Sequence, residues 1–361
     1  MDFTHNLESM KEYKMFNQTF EINGRKIGKG CEPYIIAEMS ANHGNDINKA
    51  IKIIKEAKKA GADAIKIQTY TADTLTLDCK KLHFEAQGAW SGQYLYDLYL
   101  DASMPWEWTP KLQEVAMEFG ITLFSTPFDF SSVDFLESLH MPAYKIASPE
   151  IVDLPLVRRI AQTKKPIILS TGNATLGQIN DAVAVLIEEG VKDLAILKCT
   201  SEYPAPVENI DLKTIKHLKK TFKCPVGLSD HTLGSAVPIG AVALGASIIE
   251  KHFIVDRTDT TADSFFSATP EELKAIVDGS KMVYKAIGKV NYPIVPKKDQ
   301  RSLIVIKDIQ KGEIFSSSNI KSLRPGGGIA SKDIDTILKR KASQTLKRGT
   351  LLQWEMVGEL S

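Results

Sequence analysis

Between Tyr34 and about Tyr284 the chain repeats one pattern: a short β-branched apolar run stops at polar residues, and a stretch with apolar positions at helical spacing follows. Because the runs are apolar at consecutive positions, they predict parallel strands covered on both faces. They are Tyr34–Glu38, Ala64–Gln68, Thr122–Ser125, Ala143–Ile146, Pro166–Ser170, Leu194–Cys199, Pro225–Ser229 and Ala246–Glu250. Helices are expected over Ile47–Lys59, Asp153–Gln162, Leu176–Glu189, Asp211–Thr221 and Glu271–Ile287, with a small-residue helix between the last two strands. About eight strand–helix units in some 250 residues are what a closed (β/α)₈ TIM barrel requires, so the expected class is α/β. An open doubly wound sheet is the alternative, but no Gly-x-Gly-x-x-Gly follows the first strand to support it.

The flanks have a different texture. Residues 1–15 are polar and charged and read as an arm. Apolar alternation over Phe20–Ile27 around Asn23-Gly24 predicts a hairpin able to plug one end of a barrel. Near Asn291 the rhythm breaks at Pro293, Pro296 and two lysines, which reads as a linker. The expected divisions are an arm and hairpin at 1–33, the barrel at 34–290, the linker at 291–300 and a small domain at 301–361. A domain of short strands and turns buries little surface alone and is expected to dock on something. Its Gly326-Gly327-Gly328 run reads either as a plain turn or as a place where backbone approaches another surface. One excursion, from Tyr70 to about Trp108, carries Trp90, Tyr94, Tyr96, Tyr99, Trp106 and Trp108. It reads as a lid or sugar-stacking loop, and equally as ordinary helix packing.

Barrel strands bring their C-terminal ends to one mouth, so residues far apart in sequence become neighbours there. The strand-end set is Glu38, Lys66, Gln68, Ser125, Thr126, Lys145, Ser148, Ser170, Lys198, Ser229, His231, Glu250 and His252, with Asp230 beside it. Two histidines on neighbouring strand ends suit one divalent metal with positions left open for water and substrate. Lys66 and Lys145 lie inside apolar runs; with Ser148, Ser170 and Ser229 they would make a cationic, donor-rich pocket for a phosphate.

Composition removes several classes. The 361 residues carry a net charge of +1, which gives no electrostatic case for nucleic acid or an acidic membrane surface. No run approaches the roughly 18 apolar residues of a membrane span, and no leader pattern precedes the first element. Cys31, Cys79, Cys199 and Cys224 form no C-x-x-C pair, which fits a cytoplasmic protein without a disulfide framework or zinc knuckle.

Taken together, Ala37–Gly44, Gly61–Thr69, Phe124–Asp129, Tyr144–Ser148, Leu169–Gly172, Cys199–Pro204, Leu228–Thr232 and Glu250–Phe253 resemble the sialic acid synthase family, in one order from about residue 18 to the end. The resemblance implies a TIM barrel followed by a small antifreeze-protein-like (SAF) domain. It implies condensation of phosphoenolpyruvate with an open-chain N-acetylated amino sugar, with release of phosphate by C–O cleavage. A divalent metal is implied, Mn²⁺ first and Mg²⁺ or Co²⁺ as alternatives, held by His231 and His252, with Glu38 handling a proton. By resemblance Lys66, Lys145, Ser148, Ser170, Ser201 and Ser229 bind phosphoenolpyruvate, while Gln68, Tyr203, Glu250 and Asp263 lie near the metal or sugar. Arg324 matches an arginine that reaches the partner subunit's site, which implies a domain-swapped homodimer. The aromatic tract Trp90–Trp108 is most like members that take a 6-deoxy-2,4-diacetamido hexose on the way to pseudaminic acid, with formation of N-acetylneuraminate from N-acetylmannosamine, or of legionaminate, as the alternatives. Two departures stand out: Ser201 replaces a usual asparagine, and residues 256–264 lack the Gly-Pro that commonly precedes the Asp263-Ser264 pair.

Two rivals from other classes remain open at this stage. One is a non-catalytic sugar-phosphate binding protein on the same barrel. The other is an aldolase that forms a Schiff base on Lys145 or Lys198.

Overall fold

The computed structural model describes residues 16–292 and 299–360; the arm expected at 1–15, most of the expected linker and Ser361 lie outside the described residues. The chain divides into two compact units between Gly288 and Lys289.

In the first unit eight parallel strands close into a barrel: β3 (Tyr34–Glu38), β4 (Ala64–Thr69), β5 (Thr122–Pro127), β6 (Tyr144–Ile146), β7 (Ile167–Ser170), β8 (Leu194–Cys199), β9 (Val226–Asp230) and β10 (Ile248–His252). Closure is made by β10 against β3, with Ile248 opposite Tyr34 and His252 opposite Glu38. The last strand thus runs two residues further than its apolar run alone suggests, because β3 and β9 keep offering ladder partners. Each strand is followed in turn by a helix: α1 (Ile47–Ala60), α2 (Thr109–Phe119), α3 (Phe130–Ser138), α4 (Leu154–Ala161), α5 (Leu176–Glu188), α6 (Lys213–Phe222), α7 (Ala236–Ala243) and α8 (Pro270–Ile287). Local chemistry fixes their ends. Asp46 accepts from Asn48 N before α1, and Thr269 with Glu272 forms a capping box ahead of α8, whose first residue is proline.

Strand alternation sorts the apolar residues into two cores. Ile35, Ile65, Leu123, Ile146, Leu169, Ile196, Leu228 and Ile249 face the helices. Tyr34, Ile36, Ala64, Phe124, Ala143, Ile168, Leu197 and Ile248 fill the barrel interior. The hairpin β1 (Thr19–Ile22) and β2 (Arg25–Gly28) joins this inner core through Phe20, Ile22 and Ile27, so it plugs the floor. Its turn places Asn23 at φ 47° and Gly24 at φ 81°, the left-handed pair that an Asn-Gly hairpin turn needs. With the floor sealed, the barrel formed by the described residues opens where its strands end.

The second unit has its own core of Leu303, Val305, Ile309, Phe315, Ile320, Ile329, Ile337, Ala342, Leu346 and Leu352. Two antiparallel pairs flank it: β11 (Ser302–Val305) with β12 (Ile320–Leu323), and β13 (Arg340–Ala342) with β14 (Val357–Leu360). A side chain at Gly328 would meet Leu352 O at 2.9 Å and Leu303 O at 3.2 Å. The close approach made by the glycine run is therefore to backbone of its own unit.

Candidate active site

Above the inner apolar core, the next inward positions of the strands are polar. Glu38 on β3, Lys66 and Gln68 on β4, Thr126 on β5, Lys145 on β6, Ser170 on β7, Cys199 on β8, Ser229 on β9 and Glu250 and His252 on β10 share the parity of the interior residues below them. His231 follows β9 on the same side.

Four of these form a buried charge cluster. Lys66 Nζ lies 2.5 Å from Glu38 Oε2 and 3.9 Å from Glu250 Oε1, and it donates to Thr126 Oγ1 at 3.1 Å. Lys145 Nζ lies 3.2 Å from the same Glu250 oxygen, which also accepts from Ser229 Oγ at 3.2 Å. Burial opposes every charge here, so the neighbours decide the outcome. Against that burial, Lys145 and Lys66 hold the Glu250 carboxyl down at about 2. Lys66 faces two carboxylates, Glu250 and Glu38, and is held above the ordinary lysine range. Lys145 has Glu250 alone and the like charge of Lys66 beside it, so burial wins and its pKa is lowered. Two ammoniums against two carboxylates leave Lys145 underpaired, which is where an incoming anion gains most. Glu38 is held in place from the other side, its Oε1 accepting from Ser40 N and Gln68 Nε2, each at 3.1 Å.

Beside the cluster lies a cradle of small groups. Gly172 N donates to Ser148 Oγ at 2.8 Å. A Cβ at Gly172 would meet Ser201 Oγ at 2.1 Å, Ser148 Oγ at 2.8 Å and Cys199 Sγ at 3.1 Å, so only glycine fits among them. Ser170 Oγ is buried and unpartnered. Cys199 sits against His231, and burial, which pushes its thiol up, is outweighed by His231, Ser148 and Lys145, leaving it at about 7.

The two histidines are neighbours, with ring centroids 5.3 Å apart. His231 Nδ1 is 2.8 Å from Thr200 O; a carbonyl only accepts, so this nitrogen carries a proton, and in the neutral ring Nε2 is the nitrogen left to ligate. His252 Nδ1 is buried without a hydrogen-bond partner, 3.4 Å from Asp263 Oδ2. Burial alone would raise Asp263, but His252 outweighs it and holds the carboxyl below its usual range. Two imidazoles with available nitrogens and a carboxylate at hand fit a divalent ion of the Mn²⁺ or Mg²⁺ type. Among the described residues no three His, Cys, Asp or Glu side chains are already gathered at ligating distances. A bound ion would draw its remaining ligands from water or substrate.

Over His252 lies a cavity of ≈ 400 Å³, walled by Gln68, Tyr203, His252 and Asp263 and roofed by the excursion. Trp90 crosses the mouth: its Nε1 donates to Ala262 O at 3.0 Å, and its ring lies 5.2 Å from that of Tyr203. A cleft of ≈ 620 Å³ at Arg25, Asp63 and Thr122 adjoins the plugging hairpin, with Arg25 pairing with Asp63 at 3.1 Å.

Several strand-end residues are not part of the mouth. Ser125 is out of phase with the interior and bonds Thr69 Oγ1 at 2.7 Å. Lys198 also faces outward, donating to Cys199 O and Thr200 Oγ1. Asp230 is on the helix side, where Lys251 Nζ meets its Oδ2 at 2.6 Å in a fully buried pair. Trp106 stacks on Phe135 and Trp108 meets His43 edge-on, so packing, not the cavity, explains those two rings. Arg324 belongs to the second unit, where its side chain is exposed.

Residues 53–292 match the NeuB family, and residues 300–358 match the SAF domain. The chain belongs to the NeuB family. It is 46% identical over 326 residues, 89% of this chain and 95% of the relative, to the pseudaminic acid synthase of Campylobacter jejuni subsp. jejuni serotype O:2. Identity to the Helicobacter pylori pseudaminic acid synthase is 45% over 327 residues, 89% of this chain and 96% of that protein. Among solved structures, N-acetylneuraminic acid (sialic acid) synthetase from Leptospira borgpetersenii in complex with citrate aligns with TM-score 0.70 and 32% identity, covering 79% of this chain and 94% of that one.

In this NeuB-family barrel, reading the strand ends without their parity missed Cys199, although it stands two residues past the interior Leu197. Glu150 was missed as well. It follows β6 on a 3₁₀ turn, Pro149–Val152, and lines the cavity, a placement that no apolar run signals.

Proposed function

We propose that the chain is a pseudaminic acid synthase, joining phosphoenolpyruvate to an open-chain 2,4-diacetamido-2,4,6-trideoxy hexose with loss of inorganic phosphate. The observation that carries this reading is its similarity, along nearly nine-tenths of its length, to proteins of that name. The chemistry at the mouth fits. Phosphoenolpyruvate brings a phosphate and a carboxylate, and Lys145, underpaired within its cluster, gains a counter-charge from either. Lys66 supplies the second cation, and the hydroxyls of Ser148, Ser170, Ser201 and Ser229 supply uncharged donors around it.

In the reaction, C3 of phosphoenolpyruvate forms a bond to the sugar's aldehyde carbon, and water adds at C2. Cleavage of the C2–O bond then releases phosphate and leaves a 2-keto acid. Glu38 takes the proton from the attacking water or returns one to the new hydroxyl, its carboxylate aimed by Ser40 N and Gln68. Asp263 and Gln68 orient the sugar, and Tyr203, packed on His231 at 4.3 Å between centroids, excludes bulk water on that side. A divalent ion, Mn²⁺ by preference, held by His231 and His252, supplies Lewis-acid polarisation of the aldehyde when bound.

The active assembly is a swapped homodimer in which Arg324 of one subunit serves the other's mouth. Phe130, Val152, Leu176, Val207, Leu233 and Phe265, in the connections that follow β5 to β10 or at the first residue of the helix beyond, are exposed large apolar residues on the mouth side, which suits a covered rim.

The test is incubation with phosphoenolpyruvate, Mn²⁺ and a panel of 2-acetamido and 2,4-diacetamido hexoses, with product masses and phosphate measured. A higher kcat/KM for the 6-deoxy-diacetamido sugar than for N-acetylmannosamine is expected. The reverse order would move the chain to the sialic acid branch.

A further inference from the structure

Two groups of residues stand out in the cavity lining. Trp90 and Tyr203 stand with His252 and Asp263 where the sugar aldehyde is to react. The second set lies around Tyr70, whose ring is 5.2 Å from that of Phe128 and 6.0 Å from that of Tyr99. Here the excursion's helix Leu95–Ala102 turns Leu95, Leu98, Tyr99 and Ala102 to the cavity. Spaced i, i+3, i+4 and i+7, they form one helical stripe, and Leu75 and Ala86 extend its apolar surface.

Glu150 also lines this cavity. Its Oε2 is buried and has no hydrogen-bond partner. Burial raises its carboxyl to about 7, only partly opposed by its own backbone amide and by Lys145. Such a group accepts a hydrogen bond when ionised and donates one when protonated, and its Oε2 bonds nothing within the protein. Leaving it unpartnered costs stability, so its place in the cavity that the apolar stripe lines, within reach of Tyr99, points to a ligand.

We propose that Glu150 and the stripe Leu95, Leu98 and Tyr99 form the subsite for the second acylamino group of the sugar. The amide N–H donates to Glu150 Oε2, and the acyl methyl lies against the two leucines. An acylated amine suits this pair better than a hydroxyl, which leaves the leucines uncovered, or a free ammonium, which would be desolvated against them. An amide also presents both N–H and C=O, so it can bond Glu150 in either ionisation state. The inference deepens the pseudaminic reading and rests on it, naming residues that separate a diacetamido from a mono-acetamido sugar.

The experiment is steady-state kinetics of the full chain with phosphoenolpyruvate and Mn²⁺ against two sugars. One is the 2,4-diacetamido-2,4,6-trideoxy hexose, and the other is its analogue without the second acetamide. Wild type is expected to favour the diacetamido sugar. Glu150→Ala is expected to lower kcat/KM for that sugar roughly tenfold and for the analogue far less, leaving KM for phosphoenolpyruvate unchanged. Glu150→Gln, whose carboxamide oxygen still accepts from an N–H, should retain most of the preference. The inference is overturned if Glu150→Ala lowers both sugars equally, or if the ratio stays at its wild-type value while wild type turns over the diacetamido sugar. A wild-type chain that uses neither sugar overturns the underlying reading and this inference with it.

Discussion

Glu250 stands between Lys145 at 3.2 Å and Lys66 at 3.9 Å, fully buried, with its carboxyl held at about 2 from an ordinary 4.5. A depressed carboxyl stabilises the fold above its unfolded pKa and loses that contribution as pH falls through its folded value. Stability from Glu250 should therefore be whole above about pH 4.5, shrink between 4.5 and 2, and vanish below, with a size on the order of 3 kcal/mol. Urea unfolding of wild type and Glu250→Gln at pH 6 and pH 3 measures this. The gap between them should be largest at pH 6 and narrow at pH 3, and an equal gap at both would refute the charge account. The candidate residues that the structure brings to the mouth, such as Lys66, Lys145, Glu250 and His252, interrupt or end apolar runs on inward positions. Ser125, Lys198 and Asp230 also end such runs but are one residue out of phase, and a run covered on both faces carries no alternation to reveal it.

At the scale of elements, the barrel strands were legible because each apolar run stops sharply, and the plugging hairpin because Asn23-Gly24 demands one kind of turn. The excursion was not, since an aromatic ring that packs and one that roofs a cavity look alike in sequence. The structure divides them: Trp90 reaches across the mouth to Ala262 and Tyr203, while Trp106 and Trp108 pack on Phe135 and His43. Trp90→Ala removes a hydrogen bond and one wall of the cavity. It should raise KM for the sugar about tenfold, leave KM for phosphoenolpyruvate nearly unchanged and shift thermal stability little, because the ring is only half-buried. An unchanged KM for the sugar would mean that the excursion does not wall the sugar site.

For the whole molecule, the second unit's ten-residue core shows that its own packing uses the glycine run, which sequence reading had also held open as an approach to another surface. What Arg324 serves is a question for the assembly. Arg324→Ala and His252→Ala proteins should each be inactive alone. After subunit exchange, verified with differently tagged chains, a mixture should regain activity from sites in which both residues are intact. No recovery despite exchange would place Arg324 in its own chain's site or outside catalysis. The central claim, condensation with C–O cleavage at this mouth, is tested most directly with phosphoenolpyruvate carrying oxygen-18 at the bridging position, mixed with the diacetamido sugar and Mn²⁺. The account predicts a nine-carbon keto acid by mass and inorganic phosphate that carries the label. Unlabelled phosphate, or loss of phosphoenolpyruvate without a nine-carbon product, would contradict it.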